Sequence, residues 1–234
     1  MKICEDLRQS ILQAAIQGKL TQQKAEDGTA EDLLKEIKKE KEKLISEGKI
    51  KREKTLQPIK DDEIPFEIPE NWRWVRLGDV FQHNTGKALN ASDTKGNLLE
   101  YITTSNVYWN KFELSKLKTM LFTETEIEKC TVCKGDLLVL EGGDIGRVAI
   151  WDYDFSMRIQ NHIHRLRAYK EVSTKYFYYI FFIYKNSGLI NGKGIDIKGL
   201  SSNALQPLPP LAEQHRIVKR LNELLPLCEK MKGE

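Results

Sequence analysis

The sequence predicts an α+β chain: a mixed, mostly β domain flanked by a long N-terminal and a shorter C-terminal coiled-coil helical region. Three observations carry this prediction. Apolar residues at alternating spacings of three and four recur in residues 1–57 and again in 208–234. Pro58, Pro65 and Pro69 forbid a continuous helix through a linker at 58–71. From 72 to 207 the period falls to two, and Gly-containing turns separate the apolar runs.

In the first region, Cys4, Leu7, Ile11, Ala14 and Gly18 form a seam that shrinks toward small residues, which lets another helix approach closely. Ala25 to Gly28 breaks that pattern. Thr29 with Asp32 reads as a capping box restarting a helix. Leu34, Ile37, Lys41 and Leu44 continue the repeat, with one polar seam position, and Gly48 is a stop signal. So much of this segment is polar that an oligomerising coiled coil is favoured over a helical hairpin packed on its own domain. Trp72, Trp74 and Leu77 anchor the start of the β domain.

Within that domain, Leu98 to Val107 and Ile159 to Leu166 are strand-like. Asp136 to Leu140, Gly142 to Gly146 and Arg147 to Trp151 read as strand, turn, strand. Thr174 to Tyr184 is aromatic-rich, and its length and apolar spacing favour a helix packed on the sheet. At the C-terminal end, Ile217, Leu221, Leu224, Cys228 and Met231 form another seam. A helix this short is marginal alone in water, so it needs a partner.

Composition bounds the function. No apolar run approaches the ~20 residues of a membrane span, and the opening residues lack a signal-peptide core. A cytoplasmic protein with free thiols is expected. The net charge is only +3, but residues 145–207 hold nine basic and four acidic side chains. Gly143-Asp144-Ile145-Gly146 lacks the third glycine and following helix of a dinucleotide site, and Gly192-Lys193-Gly194 lacks the spacing and Ser/Thr of a phosphate loop. Cys130 and Cys133 have CxxC spacing without a second ligand pair, so no metal site is assigned. No catalytic set is legible, which points to a binding protein. Polar residues able to read base edges or hold phosphates gather where turns are expected. The candidates are Lys87, Thr104, Asn106, Asn110, Arg147, Arg158, Asn161, His162, Lys193 and Lys198.

Several strings together resemble the DNA-specificity (S) subunits of type I restriction-modification enzymes. Leu7 to Leu20 and Glu40 to Lys49 resemble that family's conserved helical region. Ile68-Pro69-Glu70-Asn71-Trp72 to Asp79 resembles the entry to its target recognition domain, and Gly135 to Leu138 and Gln160 to Arg165 resemble its interior. Pro207-Leu208-Pro209-Pro210-Leu211-Ala212-Glu213-Gln214-His215-Arg216-Ile217-Val218 resembles its exit.

The resemblance implies a non-catalytic, sequence-specific DNA-recognition subunit. It would direct methyltransferase and restriction subunits to a split double-stranded site. S-adenosylmethionine, ATP and magnesium would belong to those partners, with no cofactor bound here. The chain departs from the family layout in holding one recognition domain, which implies a homodimer of half-subunits. Leu7, Ile11, Ala14, Ile37, Leu44, Ile217, Leu221, Leu224 and Cys228 are the candidate dimer and partner contacts, with the C-terminal helix meeting the partner's N-terminal helix. The short step from Leu205 to Leu208 leaves room for a damaged edge strand, and Pro226 for a kink. The alternative reading is an S-like scaffold or decoy that binds methyltransferase subunits without productive DNA recognition.

Overall fold

The period-two stretch folds into two four-stranded sheets that share one core. The first has the order β2 (Phe81–Thr85), β11 (Ile163–Ala168), β8 (Leu137–Leu140), β9 (Val148–Ile150) and is antiparallel throughout. The second has the order β6 (Lys118–Phe122), β3 (Asn97–Ile102), β10 (Met157–Ile159), β7 (Thr131–Val132), with β3 and β10 parallel. A small hairpin, β4 (Val107–Tyr108) with β5 (Lys111–Phe112), lies beside β9. These are the elements of a computed structural model, which describes residues 2–90, 92, 94–186 and 200–231.

Strand alternation explains the layering. On the first sheet, Leu138, Leu140, Ala149 and Ile163 point toward Tyr101, Phe122, Val132 and Ile159 of the second. The opposite face carries Leu137, Val139, Val148 and Leu166 into a core built with the helices. Four long helices cover that face: α1 (Lys2–Ile16), α2 (Ala30–Ser46), α5 (Thr174–Asn186) and α6 (Leu211–Lys230). Two short ones, α3 (Leu77–Val80) and α4 (Glu124–Cys130), turn the chain between strands.

Several sequence expectations hold. Thr29 caps α2 by accepting from the Asp32 backbone N–H at 3.2 Å, and its hydroxyl donates to the Asp32 carboxylate. Gly48 takes a φ of 70° just past that helix. The hairpin β8–β9 encloses the glycine-rich turn at Gly142 to Gly146. The aromatic segment is the helix α5, with Tyr176, Phe177, Ile180, Phe181 and Tyr184 buried.

Others need correction. The first region is not helical to residue 57, because α2 ends at Ser46 and no regular element follows until a short 3-10 turn at Asp61–Glu63. The single strand expected from Ile159 to Leu166 is split between the two sheets by a turn at 160–162. His162 is therefore exposed in the turn while His164 is buried in β11. The strand expected from Leu98 to Val107 is also interrupted, by a 3-10 turn at Thr104–Asn106. Leu205–Leu208 forms an intact strand, β12, paired antiparallel with β1 (Arg73–Arg76) from Arg73↔Leu208 to Arg76↔Leu205. No edge strand is damaged there: the domain's entry and exit are zipped together. Helix α6 runs through Pro226 to Lys230.

The helical ends are the largest revision. Ile37 is buried and Leu44 half-buried against the chain's own core, so α2 is a helix packed on its own domain. Helix α1 packs on α6 of the same chain, and the Cys4 thiol donates to the Met231 carbonyl at 3.5 Å. The ends expected to meet across two chains meet within one. On α6, Ile217, Leu221 and Cys228 are buried as the seam predicts, and Leu224 is half-exposed. On α1 the buried residues are Cys4, Leu12, Ala15 and Ile16. Ile11 and Ala14 are half-buried, and Leu7 is 41% exposed. The phase differs from the sequence seam because α1 lies against α5 as well as α6, with Arg8 stacked 5.0 Å from the Phe182 ring.

The joint between these pieces is polar and buried. The fully buried Glu213 carboxylate accepts from Thr21 Oγ1 at 3.0 Å, Gln23 Nε2 at 2.6 Å and Trp72 Nε1 at 2.8 Å. Gln214 accepts from the Ser173 backbone N–H at 2.9 Å and donates to the Pro209 carbonyl at 2.9 Å. Arg216 pairs with Asp27, whose carboxyl is held below its ordinary pKa by that hydrogen bond. The buried Arg76 guanidinium donates to the carbonyls of Gln57, Pro58 and Asn203 and to Glu63.

Candidate nucleic-acid interface

Three turns, at residues 103–106, 141–146 and 160–162, converge with the end of β2 and Gly86-Lys87 at one end of the two sheets. Backbone contacts lace them together. Gln160 N–H donates to the Ile102 carbonyl at 3.0 Å, Lys87 N–H to Ile159 at 3.0 Å, Asn161 N–H to Lys87 at 2.9 Å and Glu141 N–H to His162 at 3.0 Å. Gly86 is required here, because a Cβ would lie 2.1 Å from the Ile159 carbonyl oxygen and 2.4 Å from that of Gln160. Gly142 rests on His162, whose Cβ would be 3.3 Å from an added methyl.

The structure separates the candidate residues into groups. Thr104, Arg158 and Asn161 are half-exposed, and Asn110 and His162 are exposed. Asn110 occupies the β4–β5 turn with a φ of 49°, a left-handed conformation that asparagine tolerates. Thr104 faces the glycine turn, 3.9 Å from where a Gly143 Cβ would be. Arg158 uses its Nε on the Glu100 carbonyl at 3.0 Å.

Three other candidates are engaged inside the domain. The Lys87 ammonium is buried, donating to the Leu121 carbonyl at 2.8 Å and to Glu126 at 2.7 Å. That contact pulls the Glu126 carboxyl below its ordinary pKa. Asn106 closes its own turn. Its Oδ1 accepts from Thr103 N–H and Oγ1 at 2.8 Å, and its Nδ2 donates to the Glu113 carbonyl at 2.9 Å and to that of Lys116 at 3.3 Å. Arg147 pairs with Asp144 at 3.0 Å, donates to the Val107 carbonyl at 2.6 Å and lies over the Tyr108 ring. These residues shape the loops. Lys193 and Lys198 lie outside the described residues.

Sequence reading missed several participants. Lys185, in the last turn of α5, binds Asp144 and donates to the Ile145 carbonyl at 2.8 Å, so the helix end fixes the glycine turn. Arg165 is buried between the sheets, donating to the Thr131 carbonyl at 2.5 Å and to Gln82 and Asn84 at 3.3 and 3.4 Å. Glu141, His83 and His164 form a hydrogen-bonded line behind the loops. Its residues lie as many as 81 positions apart, which no local pattern reveals. Among the described residues no cluster of three metal-ligating side chains forms, and no helix is long and apolar enough to cross a membrane.

A family model described as "Type I restriction modification DNA specificity domain" matches residues 69–233. The chain is 30% identical over 244 residues to the type I restriction enzyme EcoAI specificity subunit of Escherichia coli, covering 97% of this chain and 40% of that protein. It is 29% identical over 245 residues to the EcoEI specificity subunit of the same organism, covering 97% and 41%. The chain thus spans about two fifths of the length of these relatives. Among solved structures it resembles the HsdS subunit from Thermoanaerobacter tengcongensis, with a TM-score of 0.55 and 21% identity over 72% of this chain and 41% of that one. A chain from a structure on complex assembly and conformational transition of the type I R-M system gives a TM-score of 0.54 at 20% identity, covering 87% and 51%. Both likenesses concern the fold.

Proposed function

The chain belongs to the type I restriction modification DNA specificity domain family, and we propose that it is the non-catalytic DNA-recognition subunit of a type I system. Its loop cluster reads one half of a split double-stranded site. The observation that carries this reading is the convergence of three backbone-laced turns on the end of β2, with the side chains of Thr104, Arg158, Asn161 and His162 left at the surface and Asn110 exposed on the β4–β5 turn. Such side chains hydrogen-bond base edges or phosphates. Lys193 and Lys198 add positive charge to this reading from sequence alone.

The second half-site needs a second domain, and a second copy of the chain supplies it. Ile3 and Leu7 on α1 are 79% and 41% exposed, and Leu227 on α6 and Met231 at its C-cap are 52% and 51% exposed. These four residues sit at the open end of the helix pair, which the Cys4–Met231 hydrogen bond brings together. They form the apolar surface on which two copies meet. A 20-residue helix such as α6 is ~30 Å long, comparable with the ~34 Å between half-sites one DNA turn apart. Methyltransferase subunits bind the helical side, and restriction subunits join them. S-adenosylmethionine, ATP and magnesium serve those partners, and the assembly works in the cytoplasm.

Solution mass tests the assembly, measured on the chain alone and with a type I methyltransferase subunit. Two copies of this 27.1 kDa chain in either state is the expected result. A monomer that ignores the methyltransferase contradicts it. Duplex binding that does not weaken from 50 to 200 mM salt contradicts the DNA reading, because counterion release dominates such affinity.

A further inference from the structure

A line of polar side chains runs behind the loop cluster. Ser202 Oγ lies 3.4 Å from His83 Nδ1, His83 Nε2 lies 2.7 Å from His164 Nδ1, and His164 Nε2 lies 3.0 Å from Glu141 Oε2. The two rings stack with centroids 5.0 Å apart. His83 sits on β2 opposite Leu166, and His164 sits on β11 opposite Thr85 and Val139, so both project from the helix-facing side of the first sheet.

With both rings neutral, one proton order satisfies every contact. A carboxylate only accepts, so His164 Nε2 carries a proton for Glu141. In the neutral ring His164 Nδ1 is then bare and accepts from His83 Nε2–H. His83 Nδ1 is bare in turn and accepts the Ser202 hydroxyl. A second proton on either ring makes His83 Nδ1 a donor to the Ser202 oxygen, so Ser202 donates only when both rings are neutral. The charged or titratable groups acting on the pair are Glu141 and His162 on His164, and His164 on His83. Burial of both rings holds them below the ordinary histidine pKa, His83 at about 4, which agrees with the neutral order.

Glu141 makes this line more than packing. Its carboxylate is held by His164, while its backbone N–H donates to the His162 carbonyl at 3.0 Å. The residue therefore ties the 141–146 turn to the 160–162 turn. At the other end, Ser202 lies just before β12, and its carbonyl accepts from Gly78 N–H at 2.9 Å.

We propose that Ser202, His83, His164 and Glu141 form a proton-ordered chain that fixes the 141–146 and 160–162 turns, making His83 and His164 positioning residues for target recognition. The recognition part rests on the DNA reading above; the proton order and the loop coupling do not.

Long-range 15N–1H correlation spectra of the full chain at pH 7 test the order directly. Both rings should be neutral, with Nε2 protonated and Nδ1 bare. An Nδ1–H tautomer or a charged ring at either position overturns the proposal. Amide exchange tests the coupling. His83→Leu should lose at least tenfold protection at Glu141 while Leu138 and Leu140 in β8 keep theirs. His83→Gln, which keeps a donor facing His164, should stay within threefold of wild type. Equal protection in all three proteins overturns the coupling, and if His83→Leu does not fold, a tenfold loss in His83→Gln does so. The DNA probe is a duplex recovered by the wild type from a randomised pool. His83→Leu should bind it about tenfold more weakly and His83→Gln nearly as well, whereas equal affinities remove the positioning role. A wild type that recovers no duplex counts against the DNA reading, while the spectra and exchange still judge the chain itself.

Discussion

Two polar regions of this protein use hydrogen bonding in opposite ways. At the joint where the domain begins and ends, polar side chains are buried and engaged: Glu213 with three donors, Gln214 with two backbone groups, Arg76 with three carbonyls. At the loop end, backbone groups do most of the lacing, and Thr104, Asn161 and His162 remain at the surface. Glu213, Gln214 and Arg216 of the joint lie within the Pro207 to Val218 string that carries much of the family resemblance. That string is recognisable because it builds the frame. It says nothing about which bases are read.

The comparison can be broken most forcefully at the joint. Trp72 is 1% exposed, donates to Glu213 and packs edge-on against Tyr176 at 6.5 Å. Trp72→Ala should cost about 3–5 kcal/mol in urea unfolding. Glu213→Ala strands three donors and should cost about 3 kcal/mol, without altering what DNA the folded fraction binds. A neutral result at Glu213 would mean that the joint is not a structural device.

Acid sharpens the contrast next. His83 falls from 6.5 to about 4 on folding, so the unfolded chain takes up its proton first as pH drops. Its contribution is fully present above pH 6.5 and is lost as pH falls toward 4, worth at most about 3 kcal/mol. Unfolding midpoints from pH 7.5 to 4.5 should show this decline, and His83→Gln should flatten it.

On the loop side, Arg158→Glu should leave stability nearly unchanged. DNA binding should weaken about tenfold and the salt slope should fall by about one. Reversing Arg147 instead should unfold its turn, since that guanidinium is committed to Asp144 and Val107. Smallest of all, Thr29→Ala removes the α2 cap and should cost about 1 kcal/mol, read as a lower unfolding midpoint.

How much could be read from sequence depended on how local the cause was. The Thr29 cap, the β8–β9 hairpin and helix α5 follow from neighbours within a few residues, and all were legible. The turn at 160–162 was not, because the alternation of Ile159 to Leu166 continues across it. The long-range strand pairings put Ile159 and Ile163 in different sheets, with Gly86 packed against Ile159 and Gln160 at the crossing. The helical seams were half legible. Ile217, Leu221 and Cys228 are buried as read, but α1 serves two neighbours and buries Leu12, Ala15 and Ile16 in place of Leu7 and Ala14. Composition singled out the polar turns of the candidate site. It did not distinguish an available side chain from an engaged one, since Lys87 meets Glu126 across 39 residues and Arg147 meets Val107 across 40.

The central claim is that the surface side chains of the loop cluster read DNA while the joint only supports them. The most direct test is selection from a randomised duplex pool with wild type, a Thr104→Ala, Asn161→Ala, His162→Ala triple variant, and Glu213→Ala, each with a type I methyltransferase subunit. The account predicts one enriched motif for wild type, the same motif for Glu213→Ala, and a changed or lost motif for the triple variant at unchanged stability. An identical motif in the triple variant, or none from wild type, would contradict it.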